Sequence, residues 1–184
     1  MDHADHVVLL RGAVDAGGTW ADIGAGSGAF TLALADLLGA GGRIVAVDRD
    51  AGALRENAEV TRARFPDVTL ETVEADFTRP LDLSELDGLV AANSLHFVPR
   101  DRQVAVVSAL ATHLRSGGRF VVVEYDSDSG NPWVPYPFSQ GSWERIATAA
   151  GLMDTSALAR VPSRFLGAVY SAASRAQRRE KPGG

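Results

Sequence analysis

Cysteine is absent from the chain, and lysine occurs once, at Lys181. Without a thiol there is no disulfide, no thiol nucleophile, no iron–sulfur ligation and no cysteine zinc site. A single lysine near the end excludes Schiff-base chemistry and a P-loop lysine. No apolar run approaches the ~18 residues that a membrane-spanning helix needs. The opening residues, Met1-Asp2-His3-Ala4-Asp5-His6, lack the basic start and apolar core of a secretory leader, so a cytoplasmic protein is expected. Positive charge is short: 18 Lys and Arg against 23 Asp and Glu leave −5, which argues against nucleic acid as the main partner. His3 and His6 can share a helix face but have no carboxylate to complete a metal site, and His113 falls late in a helix, so no metal is expected.

What is present is an ordinary globular composition: 184 residues, 46% hydrophobic and 22% charged. That suffices for one domain, expected over residues 1–175, with 176–184 (AQRREKPGG) as a frayed polar tail. Short apolar runs alternate with helical stretches. The expected strands are Thr19–Ile23, Arg43–Val47, Val68–Val73, Leu86–Ala92 and Arg119–Tyr125. Ile44-Val45-Ala46-Val47 and Phe120-Val121-Val122-Val123 are apolar without alternation, as strands covered on both faces are. Helices are expected over Ser27–Leu38, from a cap at Asp50 to about Arg64, and over Pro99–Leu114. The order predicts a doubly wound, mostly parallel α/β sheet. After Tyr125 the pattern changes. Asp126–Gln140 reads as a long loop, Trp143–Ala150 as a short helix, and Ala157–Val161 with Phe165–Ser171 as an antiparallel hairpin turning at Pro162-Ser163.

The informative stretch is Trp20-Ala21-Asp22-Ile23-Gly24-Ala25-Gly26-Ser27-Gly28-Ala29-Phe30. A strand runs into a glycine turn and a helix start, where free N–H groups and close backbone approach favour a ligand. The next strand ends at Asp48, whose carboxylate can accept both hydroxyls of a ribose held over the turn. Gly24, Gly26 and Ala29 also satisfy the dinucleotide pattern of NAD enzymes. Charge opposes that alternative, because Asp22 beside the turn repels a pyrophosphate. A ligand bearing an ammonium or a sulfonium and no phosphate suits the same carboxylate. S-adenosylmethionine is such a molecule.

In these motifs the chain resembles the class I S-adenosylmethionine-dependent methyltransferases, over about Asp5 to Arg175. Asp22 to Gly28 matches the family's first motif, and Val45-Ala46-Val47-Asp48 its acidic ribose motif. Glu74-Ala75-Asp76-Phe77 matches the adenine segment, Ala91 to Phe97 the motif after the fourth strand, and Leu114 to Phe120 the turn into the fifth. The resemblance implies a seven-stranded sheet of order 3-2-1-4-5-7-6, with S-adenosylhomocysteine as cofactor product. It implies that Asp22, Gly24, Gly26 and Gly28 serve the methionyl portion, Asp48 the ribose, Arg49, Asp76 and Phe77 the adenine, and Asn93 the floor beneath the methionyl group. A same-fold protein that binds the cofactor without methyl transfer is the alternative, with an NAD oxidoreductase behind it.

Methyl transfer needs alignment and exclusion of water, and a base only when the acceptor sheds a proton. His96 is the candidate base, since an ordinary imidazole titrates near neutral pH. Glu124 and Tyr125 end the fifth strand at the same edge as catalytic and substrate-binding candidates. Asn131-Pro132-Trp133-Val134-Pro135-Tyr136-Pro137-Phe138 places stiff aromatic surface nearby. Trp133 and Tyr136 are therefore expected to wall a pocket for a small, apolar or aromatic acceptor. Few residues precede the first strand, so Val7–Leu10 is expected to form at most one short lid helix, and a homodimer is one way to complete the site.

Overall fold

The computed structural model of the chain describes residues 1–83, 85–163 and 165–177. Seven strands form one sheet in the order 3-2-1-4-5-7-6. They are β1 (Thr19–Ile23), β2 (Arg43–Asp48), β3 (Thr69–Glu74), β4 (Leu86–Ala92), β5 (Leu114–Tyr125), β6 (Leu152–Ser163) and β7 (Gly167–Ala176). The first five pair in parallel, and β7 runs antiparallel between β5 and β6. The chain travels from β1 outward through β2 to β3, then returns to place β4 on the other side of β1. That reversal opens a crevice at the carboxyl ends of β1 and β4, where such sheets bind ligands.

The unalternating strands are explained by two cores, one on each face. Ile44, Ala46, Val121 and Val123 join Leu34, Leu38 and Leu54, from helices α2 (Ala29–Leu38) and α3 (Ala51–Arg64). Val45, Val47, Phe120 and Val122 join Val106, Leu110 and Trp143, from α4 (Arg100–Ala111) and α5 (Gln140–Ala149). Ile44–Val47 and Phe120–Val123 therefore bury every residue, because successive side chains enter opposite cores.

Several boundaries differ from the sequence reading. Helix α1 spans His3–Leu10, begun by a capping box in which the Asp2 and Asp5 side chains and backbones bond reciprocally. It buries Val7, Leu9 and Leu10 in the first core against α2 and β6, so it covers the sheet and contributes nothing to the crevice wall. A lid is not its role. Helix α2 starts at Ala29 with Gly28 as its cap, and Pro99 caps α4 instead of entering it. Leu114 belongs to β5, pairing with Leu86 ahead of an irregularity, because the Ser116-Gly117-Gly118 turn is absorbed into the strand. Helix α5 starts at Gln140, since the Ser139 hydroxyl accepts from Ser142 N–H and caps it. The hairpin is longer than expected and turns after Ser163. Pro162 lies within β6, opposite Ala168. β6 is an edge strand, and there a missing N–H removes no ladder bond. Ala176 ends β7, so the expected tail starts inside a strand; 178–184 lie outside the described residues.

Candidate active site

The motif residues converge on the crevice, which forms a cleft of about 500 Å³. Its wall includes Gly24, Gly26, Asp48, Arg49, Asp76, Phe77 and Asn93. The glycine loop is clamped to β2 by hydrogen bonds from Gly24 and Ala25 N–H to the Val47 carbonyl, at 2.8 and 3.0 Å. Two of its glycines are required by space. A Cβ on Gly24 would stand 2.5 Å from Ser94 Cβ, and one on Gly28 2.5 Å from Asn57 Oδ1. Both also adopt positive φ, +75° and +98°.

Asp48 sits half-buried at the end of β2 and is gripped through both oxygens. Oδ2 accepts from Gly26 N–H at 2.8 Å, and Oδ1 from Asp50 N–H at 2.9 Å. One turn amide that a pyrophosphate could use is thus already bonded to a carboxylate. A phosphate approaching it meets negative charge, whereas ribose hydroxyls meet two oriented acceptors.

Asp22 and Gly28 lie outside the cleft wall. Asp22 is buried beneath the loop, where Oδ2 accepts from Thr31 Oγ1 at 2.6 Å. A buried chain continues from it, with Asn57 Nδ2 donating to Thr31 Oγ1 and Thr61 Oγ1 donating to Asn57 Oδ1. Burial pushes the Asp22 carboxyl up from 3.8 to about 6, the Asp48 charge adding to the effect and the Thr31 bond opposing it. The folded chain therefore holds this proton more tightly than the unfolded one. The stability so gained is complete below about 3.8 and is lost as pH rises through about 6. At pH near 7.5 the penalty is about 3 kcal/mol. Asp22→Asn, which keeps an acceptor for Thr31, is expected to be more stable than the parent by about that amount near pH 7.5 and equal to it near pH 4. Urea unfolding at the two pH values measures the difference; equal stability at both would contradict the burial argument.

Asn93 holds a left-handed backbone, φ +50°, directly after β4. Its N–H donates to the Val123 carbonyl at 2.9 Å, but its Oδ1 is buried without a partner. Ser94 Oγ, in the same wall, is likewise buried and unbonded. An unsatisfied buried acceptor costs about 1–3 kcal/mol. Unbonded acceptors in a wall that also carries a carboxylate fit a ligand with a cationic donor such as an ammonium. On the far side, Asp76 Oδ1 accepts from Thr78 N–H and Oγ1 at 2.9 and 2.7 Å. These bonds hold its carboxyl below the usual range. Ser94 and Phe97, which the motif after β4 contains without an assigned role, and Arg102, which no motif contains, join the wall.

His96 and Glu124 are brought together at the ends of β4 and β5. His96 Nδ1 lies 2.9 and 3.0 Å from Glu124 Oε1 and Oε2, and both side chains are buried. Glu124 Oε1 also accepts from Tyr125 N–H at 2.7 Å. The rings of Phe97 and Tyr125 stand 4.4 and 5.9 Å from the imidazole. Tyr125 is half-buried, and burial with the Glu124 charge raises its hydroxyl above the ordinary value. The loop after β5 is firmly tied. Asp128 accepts from Ser139 N–H, Ser139 Oγ and Ser142 Oγ, and Asn131 Oδ1 from Trp133 and Val134 N–H. Tyr136 N–H donates to the His96 carbonyl at 2.9 Å, which fixes Tyr136 beside the candidate base. Trp133 stands 76% exposed, and neither it nor Tyr136, Tyr125, His96 or Glu124 lines the cleft, so the expected aromatic wall is not part of it.

The profile of the methyltransferase-domain family matches residues 21–118, from β1 into β5. The chain belongs to this family. It is a class I S-adenosylmethionine-dependent methyltransferase, with that molecule as its cofactor. No curated protein matches the methyltransferase at the sequence level. Solved structures share its fold. The 1,6-didemethyltoxoflavin N1-methyltransferase of Burkholderia thailandensis, holding 1,6-didemethyltoxoflavin and S-adenosylhomocysteine, is 20% identical with a TM-score of 0.72, over 96% of this chain and 78% of that one. The N-methyltransferase NodS of Bradyrhizobium japonicum is 16% identical with a TM-score of 0.71, over 96% and 94%. YcgJ of Bacillus subtilis is 13% identical with a TM-score of 0.73, over 96% and 99%. Among the described residues no helix is long and apolar enough to cross a membrane, and no three potential ligands cluster as a metal site.

Proposed function

We propose that the enzyme methylates an oxygen, nitrogen or carbon nucleophile of a small, apolar or aromatic molecule. The observation that carries this reading is the buried His96–Glu124 pair, set against the rings of Phe97 and Tyr125 at the carboxyl edge of the sheet. The small molecule held by the Burkholderia relative supports it.

The cofactor, when bound, supplies a methyl carbon already activated by a positive sulfur. The chain's own residues hold and orient. Gly24 and Gly26 let the methionyl portion approach the backbone, with Gly28 ending the turn that carries them. Asn93 Oδ1 accepts from the ammonium, and Asp48 accepts from the ribose hydroxyls. Asp76, Phe77 and Arg49 address the adenine. Asp22 acts from below through its charge alone, so Asp22→Asn weakens cofactor binding even as it stabilises the fold.

At the acceptor end, Nδ1–H of His96 donates to the Glu124 carboxylate, which leaves the Nε2 lone pair to take a proton from the nucleophile. Glu124 fixes that tautomer and steadies the imidazolium that forms. Phe97, 61% exposed, closes over the imidazole and is displaced by the arriving acceptor. Tyr125 and Tyr136 offer flat apolar surface to it, and Trp133 reaches only an acceptor that extends past Tyr136.

Incubation with methyl-labelled cofactor and a panel of small phenols and heterocyclic amines tests the reading. Release of S-adenosylhomocysteine dependent on such a compound is expected. Cofactor binding with no turnover on any of them would favour the non-methylating alternative. With an acceptor in hand, Tyr136→Ala is expected to raise its KM about tenfold, the loss of one aromatic contact, with Trp133→Ala giving the smaller change. Equal loss of cofactor affinity in either variant would mark a structural role instead.

A further inference from the structure

Arg102 lies in the first turn of α4, and its guanidinium has no hydrogen-bond or ion-pair partner among the described residues. It is exposed, yet it belongs to the walls of two cavities at once. One is the cofactor cleft. The other is an adjoining groove of about 390 Å³, which runs between Pro80-Leu81 and the α4 residues Ala105, Val106 and Ala109. Among the described residues, only Phe77, Thr78 and Arg102 line both. These three side chains are therefore the partition between cleft and groove. Two of them directly follow Asp76, at the β3 end of the cleft. His96 and Tyr125 stand at the β4 and β5 ends, across the parallel part of the sheet.

A guanidinium is planar, weakly hydrated and permanently charged, and it packs well on the face of an aromatic ring. An adenine is a neutral aromatic plane with acceptor nitrogens at its edge. We propose that Arg102 is a further cofactor-binding residue, which lays its guanidinium against the adenine and closes the base end of the cleft towards the groove. The inference rests on the cofactor reading above and adds a specificity-determining residue to it. Capture of an anionic acceptor is the competing use of a free arginine. Its place beside Phe77 and Thr78, which directly follow Asp76 and which, with Arg102, alone line both cleft and groove among the described residues, favours the base.

Titration calorimetry of the wild type, Arg102→Ala and Arg102→Lys tests this, with S-adenosylhomocysteine and its N6-benzyl analogue as ligands. The wild type is expected to prefer the unmodified ligand. Arg102→Ala loses about tenfold in affinity for it, within the range of a guanidinium–aromatic contact. The same variant opens the partition, so its affinity for the benzyl analogue holds or rises and the preference shrinks. Arg102→Lys keeps the charge without the plane and behaves like the alanine variant. Unchanged affinity for S-adenosylhomocysteine in Arg102→Ala overturns the proposal, as does equal weakening of both ligands, which would mean a general structural role. An unchanged cofactor affinity with a raised acceptor KM overturns it in favour of the acceptor. Failure of the wild type to bind S-adenosylhomocysteine is a different result, since it removes the cofactor reading itself.

Discussion

Substitution of His96 by asparagine is expected to lower kcat by about 10²–10⁴-fold, the range for loss of a positioned base, while leaving the Kd for S-adenosylhomocysteine within about twofold. Asparagine is the informative choice. Its side-chain amide nitrogen can occupy the place of Nδ1 and donate to Glu124, as the imidazole does at 2.9 Å. It provides nothing at the position of Nε2. His96→Ala removes both functions and leaves the Glu124 carboxylate buried without its principal partner, a change that destabilises the fold strongly. The two variants thus separate the roles. If the imidazole only fills space and satisfies Glu124, the asparagine variant retains most of its activity and the alanine variant unfolds early. If it accepts a proton, both lose turnover, and the asparagine variant does so while melting close to the wild type.

The second large effect is expected at Asp48. Asp48→Ala should weaken S-adenosylhomocysteine binding by about 100-fold or more. Two charge-assisted hydrogen bonds to ribose are lost, each contributing about 1.5–3 kcal/mol before compensation. The carboxylate also organises the loop, because it holds Gly26 N–H and Asp50 N–H simultaneously. Asp48→Asn is expected to fall in between, since an amide offers one acceptor and one donor where the carboxylate offers two acceptors. The same alanine change releases the Gly26 amide. Affinity for a pyrophosphate-bearing dinucleotide is therefore expected not to fall in Asp48→Ala, in contrast to the nucleoside. Loss of nucleoside affinity accompanied by a marked fall in melting temperature would mean that the residue simply supports the loop.

Much of this architecture is legible in the residues. Runs such as Phe120 to Val123 announce burial on both faces, and both faces are covered. The glycine turn, Asp48 and the Asp76-Phe77 pair can be placed at one sheet edge because each follows a strand of a parallel sheet, and all parallel strands end together. Side-chain direction is harder. Asp22 stands two residues before Gly24 and reads as part of the turn's surface, yet the pleat sends it below, into a polar chain through Thr31, Asn57 and Thr61. The charge that opposes a pyrophosphate at the turn sits instead on Asp48, which holds the Gly26 amide. His96 reads as an accessible base, but its side chain is buried and packed against the rings of Phe97 and Tyr125. Arg102 carries no local signal at all. It follows a proline cap on a helix of mixed character, and its significance arises from where the chain leaving β3 passes α4. Pro162 misplaces the hairpin turn for a simpler reason: proline usually ends a strand, but an edge strand has room for it.

The most direct test of the account is calorimetric titration of the purified wild-type chain with S-adenosylhomocysteine and, separately, with NAD. One site per chain is expected for the first and no saturable heat from the second, since the Gly26 amide of the glycine turn is already held by the Asp48 carboxylate. Saturable binding of the dinucleotide with none of the thioether nucleoside would contradict it.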